Sequence, residues 1–367
     1  MQVEKLDNIK AISEFVKLPY AIYRNNGLFV PPLIRSEKNK IKDLISNIGE
    51  GYEAALWLLK ENKKYIGRIA AIFQNTKPDQ AKLAYFDCIN NLASASILLK
   101  QAEEWAKDKG TKEIQGPLGL TSFDKAGILV QGFDEIPTNY SNYNEAYYQQ
   151  LFEHNGYVKK FDWVEYLIKL PDSVPEKIEK GSKLVKARYG ISLIEANNIT
   201  EIAKFKDEIR TLINVSYKNL NGFVQLSQSK FDEIFTQFSS ILVPALIPMV
   251  KNNKGELIGF GLALPSFSKA LIKTGGRLSP FGWFYLSAAK WNATIADLLI
   301  IVVKPEYQKK GVHALIFEKM LKSLSKKGIK YVESTRELED NKHVQNLWQG
   351  FEFRQHKRSR CYSKELC

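Results

Sequence analysis

The chain has 367 residues, of which 44% are hydrophobic and 12% aromatic, and its formal net charge is +13. That length is more than one hydrophobic core normally serves, so two domains are expected, and the composition excludes a disordered chain. The longest apolar runs, residues 239–250 and 296–303, fall short of a bilayer span, and the first residues lack a signal-peptide core, so a cytoplasmic protein is expected.

The positive charge is unevenly placed. Residues 1–170 carry 22 Lys/Arg against 21 Asp/Glu, whereas residues 171–367 carry 31 against 19. A polyanionic cofactor, nucleic acid or an anionic membrane could use such an excess, and solubility alone is the plainer reading. Cys88, Cys361 and Cys367 are too few and too scattered for a disulfide framework or a cysteine zinc site. None of the four histidines forms a ligand-spaced pair, so no metal is expected. His343 and the neighbourhood of His356 read as surface.

In chain order, Glu53–Leu59 and Tyr65–Phe73 read as strands joined by the polar turn Glu61-Asn62-Lys63-Lys64. Leu83–Ile89 is a third strand. Ala93–Lys109 has apolar residues at helical spacing and closes at Gly110. A strand from Glu113, a helix at Tyr147–His154 and a strand at Asp162–Leu170 complete this half. The segment Leu170-Pro171-Asp172-Ser173-Val174-Pro175 interrupts helix and strand alike, which marks a boundary between residues 1–170 and 176–367.

The second half repeats the order. Ile191–Glu195 is a strand, Thr200–Tyr217 and Ser229–Phe238 are helices, and Ala245–Lys251 pairs with Glu256–Leu264 in a hairpin. Thr294–Val303 is a long strand, Lys310–Lys327 an amphipathic helix, Tyr331–Ser334 a strand and Asp340–Gln349 a helix, with two terminal strands after it. The repeated order indicates an internal duplication.

Residues 300–314, Ile-Ile-Val-Val-Lys-Pro-Glu-Tyr-Gln-Lys-Lys-Gly-Val-His-Ala, are the most informative stretch. A strand feeds a helix through a basic turn containing glycine. The free N–H groups of a first helical turn and the helix dipole suit a diphosphate. Gly311 permits close backbone approach, and Lys309 and Lys310 add charge.

This stretch resembles the cofactor motif of the GNAT superfamily of acyl-CoA-dependent N-acyltransferases, Gln/Arg-x-x-Gly-x-Gly/Ala. Gln308, Lys309, Lys310, Gly311 and Val312 match it, Val303-x-Pro305 matches its lead-in, and His313 stands in place of the last small residue, followed by Ala314. Asn341 falls where the family has a cofactor-facing asparagine. Trp348 occupies the slot where many members carry a tyrosine general acid. Val30-Pro31-Pro32-Leu33, Gly67-Arg68-Ile69-Ala70, Gly116-Pro117 and the ending Gln355–Tyr362 resemble a bacterial group of tandem, two-domain GNAT-like proteins. The resemblance implies an α/β fold of two GNAT-like domains, each a mixed, mostly antiparallel twisted sheet flanked by helices. In the first half, Cys88–Ser94 holds the corresponding loop without glycine or basic residue, which implies a domain that kept the fold and lost the cofactor site.

The resemblance further implies acetyl-CoA or another acyl-CoA as cofactor, with its diphosphate on residues 308–314 and its pantetheine along the edge of Ile301, Val302 and Val303. An N–H near Val303 would stabilise the oxyanion as an amine attacks. Asp297 and Glu333 are the candidate bases, Tyr362 or Cys361 the candidate acids, and salt bridging or strand packing is the plainer reading of each. Asn221, Gly222 and Phe223 follow the first long helix, where the family shapes its acceptor pocket. Trp105, Phe123 and Tyr140-Ser141-Asn142-Tyr143 read as core and interdomain packing. Residues 269–291, with Lys273, Arg277 and Lys290 around Pro280–Leu286, read first as an inserted helix beside the fourth strand, with a membrane face or an acyl-chain pocket as alternatives. The rivals to an acyltransferase acting on a small-molecule or protein amine are a non-catalytic acyl-CoA-binding scaffold and, third, a nucleic-acid-binding protein.

Overall fold

The computed structural model describes residues 1–6, 9–46, 51–218 and 223–366. The first half comprises β1 (Gln2–Lys5), α1 (Ile9–Ile22), α2 (Ile34–Ser46), β2 (Tyr52–Glu61), β3 (Lys64–Gln74), β4 (Gln80–Cys88), α3 (Leu92–Asp108), β5 (Glu113–Gly116), β6 (Ile128–Gln131), α4 (Tyr147–His154) and β7 (Val158–Lys169). After residues 170–175, which form neither helix nor strand, come α5 (Glu176–Tyr189), β8 (Ser192–Ile194), α6 (Ile199–Ala203), α7 (Lys206–Tyr217), α8 (Gln228–Ser239), β9 (Met249–Lys251) and β10 (Leu257–Pro265). The chain ends with α9 (Ser268–Thr274), α10 (Gly282–Asn292), β11 (Ile295–Val303), α11 (Val312–Lys326), β12 (Tyr331–Ser334), β13 (Glu337–Leu338), α12 (Lys342–Gln345) and β14 (Phe353–Glu365).

Local chemistry explains the sharper features. Asn62 and Lys63 turn the β2–β3 hairpin at φ 47° and 66°, a left-handed pair that suits the right-handed twist of the strands. The α11 stripe of Val312, Leu315, Ile316, Met320 and Leu324 is buried, and Gly328 at φ 74° ends the helix.

All the strands among the described residues join one sheet, in the order β1-β2-β3-β4-β5-β14-β7-β12-β11-β10-β9-β8, with β6 added to β14 and β13 to β7. Read inward from either end, four antiparallel strands meet a parallel neighbour, β5 beside β4 and β12 beside β11. The next position is exchanged between halves. β14 pairs with β5 of the first half, β7 pairs with β12 of the second, and β7 and β14 pair with each other from Phe353↔Ile168 to Ser363↔Val158. The duplication is therefore tied together by two swapped strands at the centre.

Several expected elements take another form. The two terminal strands are the single strand β14. Thr200–Tyr217 is broken after Ala203 into α6 and α7, and Asp340–Gln349 shortens to α12 with a 3₁₀ turn. Helices α1, α2 and α5 carry amphipathic patterns interrupted by charge or, in α1, by Pro19. His356 is buried between Glu135 and Glu333, because β14 runs through the centre of the sheet, not along its surface.

Candidate active site

In both halves the parallel pair parts after three or four residues. β11 pairs with β12 only through Ile295–Leu298, and β4 with β5 only through Gln80–Lys82. The gap left beside β11 is the first element of the site. Lys304 N–H donates to Ile258 O on the β10 side at 2.8 Å. By strand alternation the amides of Ile301 and Val303 then face the gap. Their carbonyls are held there by α7 and the turn: Tyr217 Oη donates to Ile301 O at 3.2 Å, while Ser216 Oγ at 3.3 Å and Gln308 Nε2 at 3.0 Å donate to Val303 O.

The turn that follows is open for an anion. Gly311, at φ 81°, precedes α11 and provides no side-chain cap. The backbone amides of Lys309, Gly311, Val312 and His313 have no backbone acceptor among the described residues. Lys310 lies over the rings of Tyr307 and Tyr189, at 4.9 and 5.6 Å, which fixes one cation beside these donors. His313 does not fill the turn; it lines the adjoining cavity, and burial holds its imidazole below the usual range.

The equivalent place in the first half is occupied. Asn91 caps α3 by accepting from Ser94 N at 2.8 Å, Tyr148 Oη accepts from Cys88 N at 3.1 Å, and Tyr147 Oη donates to Cys88 O at 2.8 Å.

A cavity of about 1160 Å³ runs between the halves and is lined from both. Ile301, Val302, Val303, Gln308, Lys309, His313 and Asn341 contribute to its wall, so the strand edge, the turn and the distant asparagine border one space. Lys310, Gly311, Val312 and Ala314 are not part of that wall; Lys310 is exposed, and Val312 is wholly buried against Val185 of α5. Asn341 also caps α12 by accepting from Val344 N. Much of the remaining wall is aromatic, including Phe86, Tyr143, Phe223, Phe231, Phe238 and Phe260. Of the expected acceptor segment, Phe223 is in the wall, packed edge-on to Tyr217, whereas Asn221 and Gly222 lie outside the described residues.

The far end of the cavity is polar. Arg68 pairs with Asp87 at 2.7 Å, and Lys82 bonds the carbonyls of Gly119 and Leu120. Burial pushes the ammonium groups of Lys82 and Lys125 down to about 8.

The candidate acids and bases lie elsewhere. Asp297 and Glu333 face each other in the parallel register of β11 and β12, both buried and outside the cavity wall. Burial, then the neighbouring Glu333, pushes the Asp297 carboxyl well above the usual range. Glu333 is held below that range, because Lys357 and His356 outweigh its burial. Lys357 sits between Glu333 and Glu165, 2.9 Å from the latter, so its ammonium fills the centre of the Glu165–Glu333–His356 cluster that could otherwise hold a cation. Tyr362 is enclosed in the first half, stacked on Phe152 and donating to Glu153 Oε1 at 3.1 Å. Cys361 is buried, and its thiol is pushed above the usual range. All four are packed inside the sheet and none lines the cavity: Asp297 and Glu333 lie on β11 and β12, Cys361 and Tyr362 on β14.

Among the ionisable side chains of the cavity wall, Glu337, on β13, stands on the second half's side near Asn341 and Trp348. Burial, with a smaller contribution from Glu165, raises its carboxyl to about 7 against opposing hydrogen bonds from Trp348 and Ser334. The indole Nε1–H of Trp348 donates to Oε1 at 3.0 Å. Sequence reasoning missed it because nothing in a two-residue strand announces burial; its only signal was its place four residues before Asn341.

No protein-family model matches the sequence. Protein YghO of Escherichia coli is 23% identical over 377 aligned residues, covering 98% of this chain and 94% of that protein. A bacterial ceramide synthase of Caulobacter vibrioides is 23% identical over 281 residues, 74% of this chain and 72% of that protein. Among solved structures, a tandem GNAT protein from the clavulanic acid biosynthesis pathway superposes with a TM-score of 0.58 over 100% of this chain and 99% of its own, at 12% identity. A GCN5-related N-acetyltransferase from Sphaerobacter thermophilus gives 0.52 over 99% and 96%, also at 12% identity. The exchanged central strands, the parted parallel pairs and these full-length superpositions agree: the chain has the tandem fold of the GCN5-related N-acetyltransferases.

Proposed function

We propose that this protein transfers a long-chain acyl group from coenzyme A to the amine of an amphiphilic acceptor such as a long-chain amino alcohol. The observation that carries the reading is the joining of an open diphosphate turn at residues 308–313 to a cavity of about 1160 Å³ with aromatic walls. An acetyl group and a small amine would leave most of that space unfilled. A ceramide is the amide of a fatty acid with a long-chain amino alcohol, so the name of the Caulobacter relative supports the same substrate class.

In this reading the second half alone holds coenzyme A, since Asn91 and the two tyrosines occupy the matching place in the first. The diphosphate sits on the amides of the turn, with Lys309 and Lys310 supplying charge. The pantetheine adds to the β11 edge as an extra strand, and the Val303 N–H faces the thioester oxygen. Glu337 accepts the proton of the attacking amine; the C–N bond forms, the C–S bond breaks, and the thiolate leaves with coenzyme A. A carboxylate near 7 is matched to that task at neutral pH. The polar end around Arg68, Asp87 and Lys125 offers donors and acceptors to the acceptor's hydroxyls.

The test is a thiol-release assay pairing acetyl- to stearoyl-CoA with short amines and long-chain amino alcohols in detergent. Release of coenzyme A is expected with long acyl chains and amphiphilic amines. Tight acyl-CoA binding with no release for any amine would overturn the reading in favour of a binding protein.

A further inference from the structure

Between β10 and β11 the second half carries an insertion with no counterpart in the first, where β3 passes to β4 through a short turn. From Leu257 to Ala296 the sequence has no Asp or Glu, but has Lys269, Lys273, Arg277 and Lys290. Helix α10 is held from below: Leu286 and Ala289 pack on Phe267, Leu271 and Val30. Its remaining aromatics, Tyr285 excepted, and Phe281 just before it face outward. Phe281, Trp283, Phe284 and Trp291 are 70, 62, 59 and 61% exposed, which is unusual for four neighbouring aromatics. Cations stand among these rings: Lys273 Nζ lies 4.3 Å over Tyr285, and Lys327 and Lys290 lie 4.6 and 5.9 Å over Trp291.

We propose that this face docks on an anionic phospholipid bilayer. The aromatic side chains enter the boundary between headgroups and acyl chains, where rings with polar edges are favoured, and the lysines and Arg277 pair with lipid phosphates. Charge selects this occupant. A second copy docked through the same face would bring Lys273, Arg277 and Lys290 against their own equivalents, with no carboxylate in the segment to receive them. The face also shares a wall with the cavity: Leu33 and Ile241 pack with Leu286 and Ala289 and also line the cavity. The inference stands on this surface alone, whatever reaction the cavity performs.

The experiment is co-sedimentation of the full chain with phosphatidylglycerol–phosphatidylcholine vesicles, with pure phosphatidylcholine vesicles as the comparison. The wild type should bind the anionic vesicles preferentially and release in high salt. Trp283→Ser/Phe284→Ser and, separately, Lys273→Glu/Arg277→Glu should each weaken binding roughly tenfold or more while leaving the thermal melt unchanged. Absence of vesicle binding, or equal binding by wild type and both variants, would overturn the proposal. So would a dimer in light scattering that the Trp283→Ser/Phe284→Ser variant dissolves without any change in vesicle binding. Because the readout is sedimentation, failure here and failure of acyl transfer in detergent are separate results.

Discussion

Trp348 donates its indole N–H to Glu337 at 3.0 Å and packs edge-on against Phe317 at 5.9 Å. Trp348 stands where a tyrosine acid would be expected, yet it is buried and acts by holding a carboxylate in the cavity wall. Glu337→Gln keeps the acceptor for this bond and removes the base. It should lower kcat by roughly 10²- to 10⁴-fold with acyl-CoA affinity retained. Wild-type kcat should rise with pH through an apparent pKa of about 7. Trp348→Phe removes a donor that favours the ionised form, so the acid limb should move to higher pH.

The same carboxyl predicts a pH dependence of stability. Its value is raised from the ordinary 4.5 to about 7, so between those values the folded chain holds more protons than the unfolded one. Stability from this group is present at low pH, falls as pH rises through that window, and leaves a penalty on the order of 3 kcal/mol above it. Glu337→Gln should therefore melt higher than wild type at pH 8 and at nearly the same temperature at pH 4. Equal melts at both would show that burial does not perturb Glu337.

Lys309 is the cleaner probe of the diphosphate turn. Gly311 is a poor one: its φ of 81° is strained for any other residue, and an added Cβ would lie 2.9 Å from Val185 Cγ2. Lys309→Glu places a carboxylate beside the open amides, and calorimetry should show acyl-CoA binding weakened roughly tenfold or more with an unchanged melt. Retained affinity would mean that the anion sits elsewhere.

Lys357 answers two buried carboxylates at once. Lys357→Met fills similar space but leaves Glu165 without its cation and Glu333 with His356 alone, so denaturant unfolding should show a loss of about 3–5 kcal/mol. A neutral substitution would mean that Lys357 is not needed to balance these carboxyls.

The exchanged strands predict mutual dependence of the halves. Ending the chain at Glu352 removes β14, the strand between β5 and β7, and exposes two central edges. Neither half should then give a cooperative melt. A cooperative transition in that truncated chain would show that one half is self-sufficient.

Much of the architecture was legible in the order of elements. Apolar periodicity exposed the hairpin at Asn62-Lys63, the helix closed by Gly110 and the strand–turn–helix at Val303–Ala314, because each depends on neighbours within a turn or two. The basic turn at residues 308–313 was visible for the same reason: its donors, its glycine and its lysines are consecutive. Which carboxylate borders the cavity was not visible. Asp297 and Glu333 look as available in sequence as Glu337 does, and the paths of β14 and β13 set their different surroundings. β14 brings Lys357 to Glu333, while β13 leaves Glu337 in the cavity wall beside Trp348. Likewise, the aromatics of residues 281–291 could have been core; packing turned Leu286 and Ala289 inward and left the tryptophans outside. Spacing along the chain determines what local hydrogen bonding and burial periodicity can report. Ionisation and exposure depend on residues brought together across the sheet, from as far apart as Glu165 and Lys357, and those were settled by the tertiary fold.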